Sequence, residues 1–291
     1  MAVAARGARS LTALARLGRV SNLPTVWTNV LAATVLAGGA WQSLRTALVL
    51  VAMSLFYVGG MYLNDYFDRA IDARERPTRP IPAGDVSAGM VAAIGVALLA
   101  GGIAVMAPLG DAALVAGLVL ALAIVGYDVW HKSNPAGPVV MGFCRALVYA
   151  GAAAAAVGGA PWTVVAAALA MLAYVAGITY AAQQESYDRI GNLWPLAALA
   201  APAVVALAIA RDGALAIAAV SLLAAWTAAA LHLLIRRPVA GAVSRAVSWL
   251  IAGISLVDAA FLAGAGAVAA AALAILGGAA TLAAQRYVAG T

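Results

Sequence analysis

Residues 44–63 read LRTALVLVAMSLFYVGGMYL, and the chain then continues Asn64-Asp65-Tyr66-Phe67-Asp68-Arg69-Ala70-Ile71-Asp72. The first part is an apolar run of the length a helix needs to cross about 30 Å of hydrocarbon, roughly 20 residues. The second part is acidic. Continued as helix at about 100° per residue, it places Asn64, Asp65, Asp68 and Asp72 within an arc of roughly 100°. Like charges crowded on one helix face repel unless something cationic lies between them. Carboxylate and amide oxygens suit Mg2+, which takes a few carboxylates and keeps waters or phosphate oxygens as its other ligands. The exit, Arg74-Glu75-Arg76-Pro77-Thr78-Arg79-Pro80-Ile81-Pro82, ends the helix at its prolines and carries three arginines able to fold back over an anion.

The rest of the chain repeats the first part of this pattern. Of 291 residues, 65% are hydrophobic and only 10% charged, and the mean hydropathy is +0.99. No water-soluble core of this length can hide so much apolar surface, so lipid is the solvent. The single cysteine, Cys144, excludes an internal disulfide and a thiolate metal cage. The 29 glycines fit helices that approach closely in a bilayer. A pI near 9.8 does not imply nucleic acid, because the basic residues are scattered between apolar runs.

Apolar runs occur near 21–39, 44–63, 87–108, 111–130, 137–158, 162–183, 192–210, 213–235, 244–264 and 266–284. Only Gly264 to Gly266 separates the last two, so the reading is of nine or ten spans. The expected fold is all-α: one membrane-embedded domain over 1–291, a single bundle around a central cavity open to the cytoplasm. Residues 1–19 form a short basic flank with no cleavable apolar core. With the N-terminus inside, the inner segments collect Arg6, Arg9, Arg16, Arg19, Arg69, Arg74, Arg76, Arg79, Lys132, Arg189, Arg236, Arg237, Arg245 and Arg286, and the outer ones only Arg45 and Arg211. The positive-inside rule therefore places the acidic stretch and, for ten spans, both termini on the cytoplasmic side of the cell membrane.

A second polar stretch, Gln183-Gln184-Glu185-Ser186-Tyr187-Asp188-Arg189, follows the sixth run on the same side. Aligning Gln184 with Asn64 matches amide, carboxylate, aromatic and Asp-Arg in turn, with Asn192 opposite Asp72. Two acidic clusters facing one cavity can hold two metal ions and clamp a diphosphate between them.

These motifs resemble the UbiA superfamily of intramembrane prenyltransferases. Asn64, Asp65, Asp68 and Asp72 match that family's Asn-Asp-x-x-Asp-x-x-x-Asp, and Arg79-Pro80-Ile81-Pro82-Ala83-Gly84 matches its continuation. Arg19-Val20-Ser21-Asn22-Leu23-Pro24-Thr25 is similar to the family's first helix, and Tyr127 and Lys132 to a Tyr and a basic residue after its fourth. The resemblance implies Mg2+, two ions, bound by Asn64, Asp68 and Asp72 and by Asp188 with Glu185 or Gln184. It implies catalytic roles for Asp68, Asp72, Asp188, Arg79 and Lys132. It implies contacts to an isoprenyl diphosphate or a small acceptor from Asn22, Asn64, Asp65, Arg76, Tyr127, Arg145, Glu185 and Tyr187. The family's second motif normally reads Asp-x-x-x-Asp; Gln184 stands where its first Asp belongs, the pattern of an EboC-like branch. No nucleic acid and no obligate protein partner are expected.

The remaining polar residues have competing readings. Tyr62, Tyr66, Tyr127, Tyr180 and Tyr187 lie at a level where a ring could shelter a carbocation or simply anchor at the interface. Arg145, inside the fifth span, either reaches a substrate or snorkels. Asp258, deep in the ninth, suits pairing within the bundle. Asn22, Thr25 and Asn29 share a face and suit interhelical hydrogen bonds or a pocket wall. His131 and His232 read as interfacial. A terpene cyclase or phosphosugar-lipid transferase on the same fold, and a secondary transporter, are the alternatives.

Overall fold

The computed structural model of the chain describes residues 12–131, 134–185, 191–211, 213–236, 240–288 and 290. Among these there is helix and turn but no strand. The helices are α1 (Leu23–Leu36), α2 (Leu44–Glu75), α3 (Ala88–Met106), α4 (Asp111–Trp130), α5 (Gly137–Val157), α6 (Trp162–Ala182), α7 (Ala201–Ile209), α8 (Gly213–Arg236), α9 (Ala242–Gly264) and α10 (Val268–Gln285). A 3-10 segment, Trp194–Ala200, leads into α7.

Eight of these helices are long and apolar enough to cross a membrane, which makes the chain an integral multi-pass membrane protein. The other two expected spans are shorter: α1 has 14 residues, and Trp194–Ile209 is an apolar helical stretch below spanning length.

Local chemistry sets the ends. Ser43 and Ser87 cap α2 and α3, their hydroxyls accepting the N–H of Thr46 and Met90 at 3.2 Å each. Proline stands in the first turn of α1 and α5, where no intrahelical donor is lost. Gly158, at φ 80°, closes α5 in the left-handed conformation.

The packing is that of a bilayer protein. Leu122, Val204 and Leu276 are more than 60% exposed, as side chains facing lipid are. The inside is built from small residues: α5 and α6 cross at Gly142, where a Cβ would come within 2.3 Å of the Leu172 carbonyl oxygen. The innermost helix is α9, which packs on α1, α6, α8 and α10; 83% of its apolar window is buried, against 17% for α8. At its middle, Asp258 is fully buried and accepts from Thr28 Oγ1 at 2.6 Å, Asn29 Nδ2 at 2.8 Å and the Tyr149 hydroxyl. This carboxylate ties α1, α5 and α9 together.

Candidate active site

The decisive helix is α2. Its 32 residues rise about 48 Å, well beyond the roughly 30 Å of hydrocarbon, so its last three turns project past the apolar run. Those turns carry the acidic face. Asn64, Asp65, Asp68 and Asp72 are all buried, at 6%, 6%, 5% and 2% exposure, while Phe67 and Arg69 on the opposite side are exposed. The shared face read from the sequence is therefore turned into the protein.

Arg79 closes the cluster. The proline-rich loop returns it to α2, where one guanidinium nitrogen donates to Asp65 Oδ1 at 3.1 Å and Asp72 Oδ2 at 2.9 Å. Arg19, held at φ 41° where the chain turns into α1, reaches Asp65 at 3.7 Å. Arg74 and Arg76 stay exposed and do not join. Of the three arginines expected to fold back, one does, and it pairs with two carboxylates of α2.

The opposite wall is α4. Asp128, 5% exposed, accepts from Asn64 Nδ2 at 3.2 Å through Oδ1, and its Oδ2 is buried with no hydrogen-bond partner. One turn later the His131 ring stacks on Tyr127, with Nδ1 donating to the Tyr127 carbonyl at 3.2 Å and Nε2 lying 3.5 Å from Asp68 Oδ2. His131 is thus part of the acidic cluster rather than a bystander at the interface. Arg19, Asp128 and His131 were not among the site residues expected. A signal did exist for Asp128, an acid inside an otherwise apolar helix next to a tyrosine already singled out.

Beside the cluster opens a cavity between α1, α2, α4 and α5. Val26, Met53, Phe56, Met61, Leu120, Ile124, Met141 and Val148 make its walls apolar, and Tyr57, Tyr127, Asp128, Cys144 and Arg145 are its polar members. Arg145 donates to Asn29 Oδ1 at 2.9 Å and Thr25 Oγ1 at 3.1 Å, and its guanidinium carbon lies 5.6 Å from the centre of the Tyr57 ring. Of the tyrosines considered for a carbocation, only Tyr127 lines this cavity among those described. Tyr62 donates to the Leu14 carbonyl, Tyr180 to the Asn192 carbonyl, and Tyr66 packs under Arg69.

Asn22 is also engaged elsewhere. Its Nδ2 donates to the Gly290 carbonyl at 2.9 Å, and its Oδ1 accepts from Gln285 at 3.0 Å, so its amide holds the C-terminal segment. Gln184 serves its own loop, Oε1 accepting the Gly191 N–H at 2.7 Å. Glu185 is half-buried at the end of the same turn. Asp188, Tyr187 and Lys132 lie outside the described residues.

Among the described residues, no three or more His, Cys, Asp or Glu side chains are arranged as a ready metal cage. The donor set nonetheless fits Mg2+. It consists of hard oxygens from Asn64, Asp65, Asp68, Asp72 and Asp128, one of them buried without a partner. A Mg2+ ion needs only one or two carboxylates when waters and phosphate oxygens complete its shell.

Known proteins place the chain. A digeranylgeranylglyceryl phosphate synthase of Methanoculleus marisnigri is 31% identical over 169 residues, 57% of this chain and 60% of that one. The synthase of the same name from Methanothrix thermoacetophila is 35% identical over 111 residues, 38% and 42% respectively. The matched part thus spans about half the length of these relatives. In three dimensions, a UbiA homolog from Archaeoglobus fulgidus bound to GPP and Mg2+ superposes with a TM-score of 0.63 at 15% identity, over 88% of this chain and 99% of that one. At that identity the likeness concerns the fold. The family model described as the UbiA prenyltransferase family matches residues 25–244, from the first turn of α1 into α9 and through the helices that carry the acidic cluster and line the cavity, and the chain belongs to that family.

Proposed function

We propose that the chain is an intramembrane prenyltransferase that moves an isoprenyl group from its diphosphate to a small acceptor and releases diphosphate. The observation that carries this reading is the buried face of Asn64, Asp68 and Asp72, which ends beside an apolar cavity. A polar anchor next to an apolar slot matches an isoprenyl diphosphate, whose head is anionic and whose tail is hydrocarbon. The A. fulgidus homolog, bound to GPP and Mg2+, supports the same donor class.

In this reading Asn64, Asp68 and Asp72 hold one Mg2+, and Asp188 with Glu185 a second. When bound, the metal neutralises the diphosphate and stabilises its departure. The chain's own residues do the rest. Arg79 exchanges its carboxylates for diphosphate oxygens, with Arg76 and Lys132 adding charge at the mouth. Cations fixed in advance in a site shielded from water stabilise a leaving anion most. The C1–O bond breaks with its electron pair on the diphosphate, and the allylic cation stays in the cavity that Tyr57 and Tyr127 help to line. The apolar walls keep water from quenching it. Arg145, fixed by Thr25 and Asn29, orients the acceptor.

The acidic motifs face the cytoplasm, as the charge asymmetry of the connecting segments supports. Gln184 in place of an acid supports a place near the EboC-like branch. The test is to incubate purified protein with geranylgeranyl diphosphate, Mg2+ and a panel of phenolic, quinoid and glyceryl-phosphate acceptors. Prenylated product with released diphosphate is expected. Cyclised hydrocarbon, or no consumption across the panel, refutes prenyl transfer.

A further inference from the structure

We infer that Asp128 is a metal ligand of this site, a carboxylate from α4 that joins the cluster of α2 beside Asn64. The inference rests on the Mg2+-dependent reading above and adds a residue to it.

The starting point is a carboxylate in an awkward place. Asp128 lies on an apolar spanning helix, is 5% exposed and lines the cavity wall. A buried carboxylate is costly unless it is hydrogen-bonded and paired with positive charge. Asp128 meets half of that requirement. Oδ1 accepts from Asn64 Nδ2 at 3.2 Å, while the buried Oδ2 has no hydrogen-bond partner. No described ion pair includes Asp128; the nearby arginines are used elsewhere, Arg79 on Asp65 and Asp72, Arg19 on Asp65. Asp128 is therefore a buried carboxyl group with an open oxygen, touching one of the amides assigned to the metal.

The second observation comes from the other buried acid on a spanning helix. A structural acid would have both oxygens satisfied, as Asp258 does with Thr28, Asn29 and Tyr149. His131, the neighbouring group of α4 able to carry positive charge, faces Asp68 at 3.5 Å. A divalent ion bound at Asp128 removes the cost of burying it and can take the oxygens of Asp128 and Asn64 at one centre.

Mn2+ tests this, because its free aqueous form gives a paramagnetic resonance signal that falls as the ion binds. The ion is titrated into the purified full-length chain in detergent, with and without inorganic pyrophosphate. Asp128→Asn is the informative variant, since its amide oxygen still accepts from Asn64 and its shape is unchanged. We expect Mn2+ affinity to fall about tenfold or more, with the metal-free melting temperature unchanged or higher. Wild-type affinity in Asp128→Asn overturns the inference, for a residue that merely positions Asn64 survives this substitution. Asp68→Asn separates the two levels of the argument. If it abolishes binding while Asp128→Asn does not, the metal reading stands and the role of Asp128 falls. If the wild-type chain binds no Mn2+ in either condition, both fall.

Discussion

Asp258→Ala is expected to loosen the bundle by about 2–4 kcal/mol. The wild-type carboxylate accepts from Thr28, Asn29 and Tyr149, whose exposures are 3%, 0% and 0%. Removing it takes the acceptor from Asn29 and Tyr149, while Thr28 keeps the Thr25 carbonyl and the Ser255 hydroxyl at 3.2 Å each. Hydrogen bonds between membrane helices average about 0.6 kcal/mol each, because the unfolded chain in lipid also finds partners, so the two donors account for roughly 1 kcal/mol. The charge adds more. Asn29 passes the carboxylate's influence to Arg145, holding one group with Nδ2 and the other with Oδ1. Stripping the counter-ion from a fully buried direct pair costs about 3–5 kcal/mol. Here the pair is bridged and Arg145 borders a cavity, so only part of that applies. Asp258→Asn, which keeps one acceptor oxygen, should lose about half as much. Equilibrium unfolding by SDS in mixed micelles measures both. A change below about 0.5 kcal/mol in Asp258→Ala would refute the claim that this residue joins α1, α5 and α9; that is the level of an ordinary surface substitution.

Four further outcomes follow from the site and the packing. Asp68→Ala should abolish Mg2+-dependent diphosphate release while the protein stays folded in detergent; unchanged turnover removes Asp68 from the mechanism. Asp188→Ala should reduce release strongly, and wild-type activity would mean that the first cluster alone holds metal. Arg79→Ala frees Asp65 and Asp72 from the cation that bridges them at 3.1 and 2.9 Å, so Mg2+ should raise the melting temperature of the variant more than that of wild type; an equal rise in the two counts against that role. Gly142→Ala drives a methyl to within 2.3 Å of a backbone oxygen on α6 and should cost about 1–3 kcal/mol in the same SDS titration, with a neutral result showing that the two helices can part freely.

The periodicity of α2 was legible because it is a property of one helix. An apolar run followed by acids at 64, 65, 68 and 72 fixes a face whatever surrounds it, and burial of that face answers the repulsion it carries. What fills the opposite wall depends on which helix packs there, and spacing along the chain does not contain that. Asp128 and His131 lie on a helix end whose residues read equally well as interfacial. Only the approach of α4 to α2 brings them to Asn64 and Asp68. The partners of Asn22 were hidden for the same reason: its position on the first helix suited interhelical hydrogen bonds or a pocket wall, and the groups its amide meets, Gln285 and Gly290, come from the far end of the chain.

Arg79 marks a different limit. Its place in the proline-rich loop suggested a diphosphate ligand, and the structure places it on carboxylates. The two positions are compatible if the arginine and the metal compete for the same oxygens. Burying Asp65 and Asp72 side by side as carboxylates is costly without a cation, and Arg79 supplies one. A metal held by Asp72, as proposed above, would free the guanidinium for a diphosphate. On this argument Arg79 holds the acidic face folded and later serves the leaving group, and a lysine at 79, with a single point charge in place of a planar fork, should keep the first task better than the second.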